Sequence, residues 1–210
     1  MNEINNMYHL LTINNAPNKD SSDIFEHLET LYKYSKECDS VFETGVRGCV
    51  SSWAFLKGLL DGESKNKKKL FMNDINTCDI NELLSVSKNF DIEITYEWKN
   101  NLLLEFNENY DITFIDTWHI YGQLKRELDK FSKITNKYII MHDTSVDEID
   151  GETIRNRWDA VKQSKESGFP IEEINKGLWP AITEFLLNNP EWYIKERFTN
   201  NNGLTILARK

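Results

Sequence analysis

Five short apolar runs, each closed by an acid, constrain this chain more than any other feature. Val41-Phe42 runs into Glu43, Leu70-Phe71-Met72 into Asn73-Asp74, and Ile92 to Tyr96 into Glu97. Tyr110 to Ile115 then runs into Asp116, and Tyr138 to Met141 into His142-Asp143. Between the runs lie segments of helical spacing. These are Ser51–Leu60, closed by Asp61-Gly62; Asn81–Asn89, with Leu83, Leu84 and Val86 inward; and Gly122–Ser132, with Leu124 and Leu128 on one face. Asn100 to Phe106 reads as a short helical piece. Short continuous apolar runs are the mark of strands covered on both faces. Their alternation with helices predicts a parallel sheet flanked by helices.

After Asp143 the pattern changes. A long polar stretch holds one predicted helix, Thr153–Lys165, and "LWPAITEFLLNN" is another, stopped at Pro190. "EWYIKERFT" and "GLTILAR" read as strands joined through Asn200-Asn201-Asn202-Gly203, and Asn-Gly is a strong hairpin signal. The expectation is therefore an α/β, Rossmann-like three-layer sandwich. Its seven-stranded sheet is mostly parallel and ends in an antiparallel hairpin. A length of 210 residues suits one domain. We place it at residues 23–210, behind a polar, aperiodic lead-in at 1–22 with "NNAPNKD" as a loop. Asp23 and Glu26 have capping-box spacing, and Ile24, Leu28 and Leu31 carry that first helix to about Lys36.

The formal charge of -9 argues against sequence-independent nucleic-acid binding, which needs a basic face. The one basic cluster, Lys65 to Lys69, reads as a solvated loop. No signal peptide and no bilayer-spanning run is evident, so a cytoplasmic protein without membrane contact is expected. Cys38, Cys49 and Cys78 are odd in number, fit no metal spacing and read as reduced thiols.

In an open parallel sheet, ligands bind beyond the carboxyl ends of the strands. Acids at such ends often cap the next helix. Five of them on one rim crowd negative charge and call for a compensating ligand, cation or donor. The loop after the first strand has only Gly45 and Gly48, where a dinucleotide site wants a third glycine. Glu43, two residues before Gly45, is unwelcome beside a phosphate. The pattern favours a cationic nucleoside, with Asp74 placed to accept from two ribose hydroxyls. S-adenosylmethionine has those properties.

At this point the chain resembles the class I S-adenosylmethionine-dependent methyltransferases. The matching stretches are "VFETGVRGCVSSWAFLKGL", "LFMNDI", "DITFIDTWHIYGQLKRELDKF" and "YIIMHDT". Asp116-Thr117-Trp118-His119 and the C-terminal "GLWPAITEFLLNNPEWYIKERFTNNNGLTILAR" look like the cephalosporin-hydroxylase-like and macrocin-type sugar O-methyltransferases. The resemblance implies S-adenosylmethionine as cofactor. Gly45 and Gly48 would let the backbone approach its methionine part, and Glu43 would anchor the loop or the ammonium group. Ser51 or Ser52 would meet the carboxylate, Asp74 the ribose, and Glu97 the adenine. It also implies His119 as general base beside Asp116, which would adjoin the cofactor, and magnesium on Asp116 and Asp143. His142 stands where relatives carry an acid. Arg47 has two open readings, a methionine-carboxylate contact and an outward salt bridge. The implied acceptor is a small molecule, a sugar hydroxyl first, under a lid at 145–177 lined by Trp158, Phe169 and Trp179, in a chain that can form homo-oligomers. Two other readings stay open: a non-catalytic cofactor-binding subunit of the same fold, and a nicotinamide-dependent oxidoreductase, which the missing glycine disfavours.

Overall fold

In the computed structural model, residues 1–16 and 22–210 are described, and the part of the expected loop that falls on 17–21 lies outside them. By internal contacts the chain divides into two compact units, Met1–Ile115 and Asp116–Lys210. The strand order is β3-β2-β1-β4 in the first and β5-β7-β6 in the second, a seven-stranded sheet in all.

The first unit opens with α1 (Asn2–Thr12) and a 3-10 turn (Phe25–His27) that leads into α2 (Leu28–Lys36). It continues with β1 (Ser40–Thr44), α3 (Val50–Asp61), β2 (Lys68–Asp74), α4 (Asn81–Ser87), β3 (Ile92–Trp98) and β4 (Tyr110–Ile115). β1 pairs in parallel with β2 and β4, and β2 with β3. The apolar runs sit where expected, with Val41, Phe42, Leu70, Met72, Ile112 and Phe114 fully buried. Residues 1–12 depart from the aperiodic reading. They are helical, with Ile4 and Leu11 buried on one side and α1 packed on α3. Two apolar residues seven apart among polar ones make a narrow stripe that a periodicity count misses. The piece expected at Asn100–Phe106 shrinks to one 3-10 turn, Asn101–Leu103, with Asn100 capping it.

The second unit holds α5 (Tyr121–Phe131), β5 (Thr135–His142), α6 (Glu152–Arg155), α7 (Ala160–Ser167), α8 (Ile171–Asn175), α9 (Leu178–Asn188), β6 (Trp192–Phe198) and β7 (Leu204–Arg209). β7 runs antiparallel to both β5 and β6. The hairpin turns through Asn201, Asn202 and Gly203, all at positive φ, which the Asn-Gly signal supplies at low cost. The single helix expected at Thr153–Lys165 is two. Arg157 at φ 56 breaks it, and Asp159 starts α7 by accepting from the backbone N–H groups of Val161 and Lys162. Among the described residues no helix is long and apolar enough to cross a membrane. Cys38 and Cys49 are buried, Cys78 is half-buried, and none forms a disulfide.

Candidate functional site

In the first unit, β1 delivers Glu43 to the N-terminal turn of α3, fully buried. Its carboxylate accepts from the Ser51 hydroxyl and, at 2.7 Å, from the Ser52 hydroxyl. Both serines lie in the first turn of α3, where negative charge is favoured. The hydroxyls of Ser51 and Ser52 thus hold the Glu43 carboxylate against the first turn of α3.

The loop between β1 and α3 takes three residues at positive φ: Gly45 (92°), Arg47 (45°) and Cys49 (60°). Two of them are not glycine and carry a backbone cost that their surroundings must offset. Asp74, closing β2, supplies that offset. Its Oδ2 accepts from the backbone N–H of Val46 and of Arg47, both at 2.9 Å. Its Oδ1 accepts from the Asn76 backbone N–H at 2.8 Å. Gly45 N–H donates to the Asn73 carbonyl at 2.9 Å. Asp74 is therefore a clamp on the glycine loop. Gly48 is exposed, and a Cβ built on it meets no atom within 4 Å. The Arg47 side chain is exposed and makes no ion pair among the described residues.

Asn73 was not singled out in the sequence, yet it ties three strand ends together. Its Oδ1 accepts from Thr44 Oγ1 at 3.0 Å, and its Nδ2 donates to the carbonyls of Glu97 and Lys99. Asn101 Nδ2 adds a bond to Thr44 Oγ1 at 2.9 Å. A polar residue just before a strand-end acid was the available signal. Glu97 lies at the end of β3 with its side chain exposed, opposite Asn73 in register. Trp98, 66% exposed, donates from Nε1 to the Ile75 carbonyl at 2.7 Å.

In the second unit the expected residues Asp116, His119 and Asp143 come together, and His142, Asp147, Glu152 and Arg155 join them. His119 Nε2 lies 3.1 Å from Asp116 Oδ1. Its Nδ1 lies 3.0 Å from Asp143 Oδ2, 3.4 Å from Asp147 Oδ2 and 3.7 Å from Glu152 Oε2. His142 Nδ1 faces Asp116 Oδ2 at 3.6 Å and Asp143 Oδ1 at 3.7 Å, and its Nε2 lies 3.1 Å from the Asn201 carbonyl. Asp147, fully buried, is gripped by Arg155 through Nε and Nη2 at 2.7 and 2.8 Å. Asp143 itself sits at φ 57, a costly conformation for an aspartate held at a strand end.

These contacts set the charges. Burial disfavours imidazolium at His119, but Asp116, Asp143 and Asp147 together hold its pKa well above the usual value. Burial acts likewise on His142, and the charge of Asp116 overrides it, raising the pKa to about 9. Burial would raise Asp116, yet His142 and His119 pull it down. Asp147 is lowered despite burial, by Arg155 and then His119. Asp147 and Arg155 were missed in the sequence because a polar lid was expected there. The signal was an acid four residues after Asp143, on a turn closed by Asp147 N–H to the Asp143 carbonyl at 3.1 Å.

Of the expected lid aromatics, Phe169 stacks on Trp118 with ring centroids 6.0 Å apart, and the Arg126 guanidinium lies over the Phe169 ring at 4.2 Å. Trp158 is 48% exposed, and Trp179 lies under Arg197 at 3.7 Å.

Magnesium prefers an all-oxygen shell with near-ideal octahedral geometry. Asp116 and Asp143 group instead with the His142 imidazole, so the donor set does not suit that ion.

No protein-family model matches this sequence, and no curated protein matches it. Solved structures do. An O-methyltransferase from Bacillus cereus in complex with S-adenosylhomocysteine is 14% identical, with a TM-score of 0.59, covering 100% of this chain and 91% of that one. The N-methyltransferase NodS from Bradyrhizobium japonicum WM9, also with S-adenosylhomocysteine, is 15% identical, with a TM-score of 0.55 and coverage of 97% and 98%. The O-methyltransferase TomG from Streptomyces achromogenes, in complex with S-adenosylmethionine, is 10% identical, with a TM-score of 0.57 and coverage of 99% and 89%. At these identities the likeness shows the fold: this chain has the Rossmann-like methyltransferase fold over its length.

Proposed function

We propose that this protein is an S-adenosylmethionine-dependent methyltransferase acting on a hydroxyl of a small polar acceptor, with a sugar as the first candidate class. The observation that carries the reading is the glycine loop of the first unit. It is wound through positive φ at Gly45, Arg47 and Cys49, held by the Asp74 carboxylate, and carries an exposed Gly48 whose α-carbon faces open space. With its N–H groups at Gly45, Val46, Arg47 and Cys49 already taken within the protein, the loop suits close approach of an uncharged or cationic group better than a phosphate. The fold it shares with cofactor-bound methyltransferases supports the same reading.

In the proposed reaction the acceptor oxygen attacks the methyl carbon in line with the departing sulfur. The sulfonium leaves as the neutral thioether of S-adenosylhomocysteine, and the hydroxyl proton must go to a base. We assign proton removal to the His119–Asp116 cluster. With carboxylates facing both ring nitrogens, His119 holds its proton near neutral pH, so it accepts the acceptor's proton only after first losing its own. That geometry also favours, as a second reading, cofactor binding without turnover.

Titration with S-adenosylhomocysteine tests the cofactor. We expect a heat signal, and its absence removes the methyltransferase reading. Turnover over a panel of sugars and other hydroxyl acceptors separates the enzyme from the non-catalytic subunit. Gly48→Ala is a further probe, since the added methyl meets open space in the protein. We expect unchanged thermal stability and at least about tenfold weaker S-adenosylhomocysteine binding, a close approach lost being worth roughly 1.4 kcal/mol or more. Unchanged affinity would show that the ligand does not approach this loop.

A further inference from the structure

We infer that Glu127, on α5, is the positioning residue for the His119–Asp116 pair, acting through the hydroxyl of Thr117. The inference rests on the methyl-transfer reading only for its effect on turnover. The hydrogen bonds that carry it stand without that reading.

The first argument is the place of Glu127. The buried side of α5 carries Leu124, Leu128 and Phe131. Glu127 shares that burial and is 0% exposed. A polar group there costs free energy that an apolar residue would not, unless hydrogen bonds offset it. The Glu127 Oε1 accepts twice, from Thr117 Oγ1 and from Gln123 Nε2, both at 2.7 Å. Gln123 is buried one turn earlier on the same helix, so its bond fixes the direction of the Glu127 side chain. The Thr117 bond leaves the helix and reaches a residue 10 positions back along the chain.

The second argument is what Thr117 belongs to. Residues 116–120 connect β4 to α5 and lie in neither helix nor strand. Such a stretch takes its shape from its tethers. At its far end, Glu152 N–H donates to the His119 carbonyl at 2.9 Å, and Tyr121 N–H donates to the Lys176 carbonyl at 2.7 Å. At its near end, beside Asp116, stands the Thr117 hydroxyl on Glu127. Between these tethers His119 Nε2 meets Asp116 Oδ1 at 3.1 Å. Without the near tether, Asp116 can turn relative to an imidazole that the far tether still holds. A reacting group misplaced by about 1 Å loses on the order of a hundredfold in rate, so a bond one residue from Asp116 bears directly on turnover.

The test compares Thr117→Val, which keeps the side-chain volume and removes the hydroxyl, with Thr117→Ser, which keeps the hydroxyl, and with Glu127→Met. The probe is the imidazole N–H signals of the full chain carrying 15N-histidine, which holds 4 histidines. His119→Gln and His142→Gln assign the two that matter. His142 is the internal reference, because its Nε2 lies 3.1 Å from the Asn201 carbonyl, on the hairpin rather than on this stretch. We expect Thr117→Val and Glu127→Met each to speed exchange of the His119 Nε2 proton at least about tenfold, with His142 changed less than about twofold. Thr117→Ser should restore the wild-type rate. The combined variant Thr117→Val/Glu127→Met should match Thr117→Val alone, since both changes break one bond. Once an acceptor is in hand, Thr117→Val should lower kcat about a hundredfold with KM within about threefold. A His119 signal unmoved by Thr117→Val, equal disturbance of His119 and His142, no rescue by Thr117→Ser, or additive effects in the combined variant would each overturn the inference. Failure to bind S-adenosylhomocysteine removes the methyltransferase reading and leaves the imidazole signals to decide this one.

Discussion

Asp74→Ala should destabilise the protein by about 3 to 5 kcal/mol, measured as the urea midpoint at constant slope, besides weakening S-adenosylhomocysteine binding. A pure ribose ligand would show only the second effect. The size follows from what the carboxylate holds. Three backbone N–H groups, of Val46, Arg47 and Asn76, end on its two oxygens. Hydrogen bonds to a charged group contribute about 1.5 to 3 kcal/mol each, and a buried donor left without a partner costs about 1 to 3 kcal/mol. The Val46 bond is buried, the other two are partly wet, so the sum falls well short of three full terms. Removing the clamp also frees Arg47 and Cys49 from positive φ, and the loop relaxes away from the shape it must hold. Asp74→Asn keeps an oxygen for the loop but turns an amide donor toward one of the N–H groups, so an intermediate loss is expected. A midpoint unchanged by Asp74→Ala would return Asp74 to the single role of ribose acceptor.

How far such roles can be read in a sequence depends on what fixes them. The strand ends were legible, because a doubly covered strand must be apolar to its last residue and its rim must then carry the polar chemistry. Asp116 and His119 were legible as a pair, since three residues past a strand end is one turn of chain. Ser51 and Ser52 were found, but their bonds to Glu43 were not read. A hydroxyl in the first turn of a helix can serve a ligand or a neighbouring strand, and only the approach of β1 decides between them. Asp147 and Arg155 stayed hidden for a related reason. Their pairing depends on a turn that bends the chain back beneath His119, inside a stretch whose polarity reads as solvated. The split between α6 and α7 was equally out of reach, because it turns on one residue, Arg157, adopting a conformation that arginine does not favour.

The cluster of Asp116, His119, His142 and Asp143 makes stability depend on pH, and the protein should lose about 3 kcal/mol between pH 6.5 and pH 9. His142 has an ordinary pKa of 6.5 and a folded value of about 9, because the charges of Asp116 and Asp143 outweigh the cost of burying imidazolium. A group whose pKa is raised by folding binds its proton more tightly in the native state. Its contribution is full below 6.5 and is lost as pH rises through 9. A gap of about 2.5 units corresponds to about 3 kcal/mol, at 1.36 kcal/mol per unit. His119, also raised, acts in the same direction. Asp116 and Asp147 are lowered by folding, so their contributions stand above the ordinary carboxylate range and fade only on the acid side. The profile should therefore be flat from about pH 4.5 to 6.5 and fall beyond it. For a chain of this size, 3 kcal/mol corresponds to a drop in melting temperature of about 6 to 12 °C. His142→Gln should flatten much of that slope, and a slope unchanged by it would show that His142 is not charged at neutral pH.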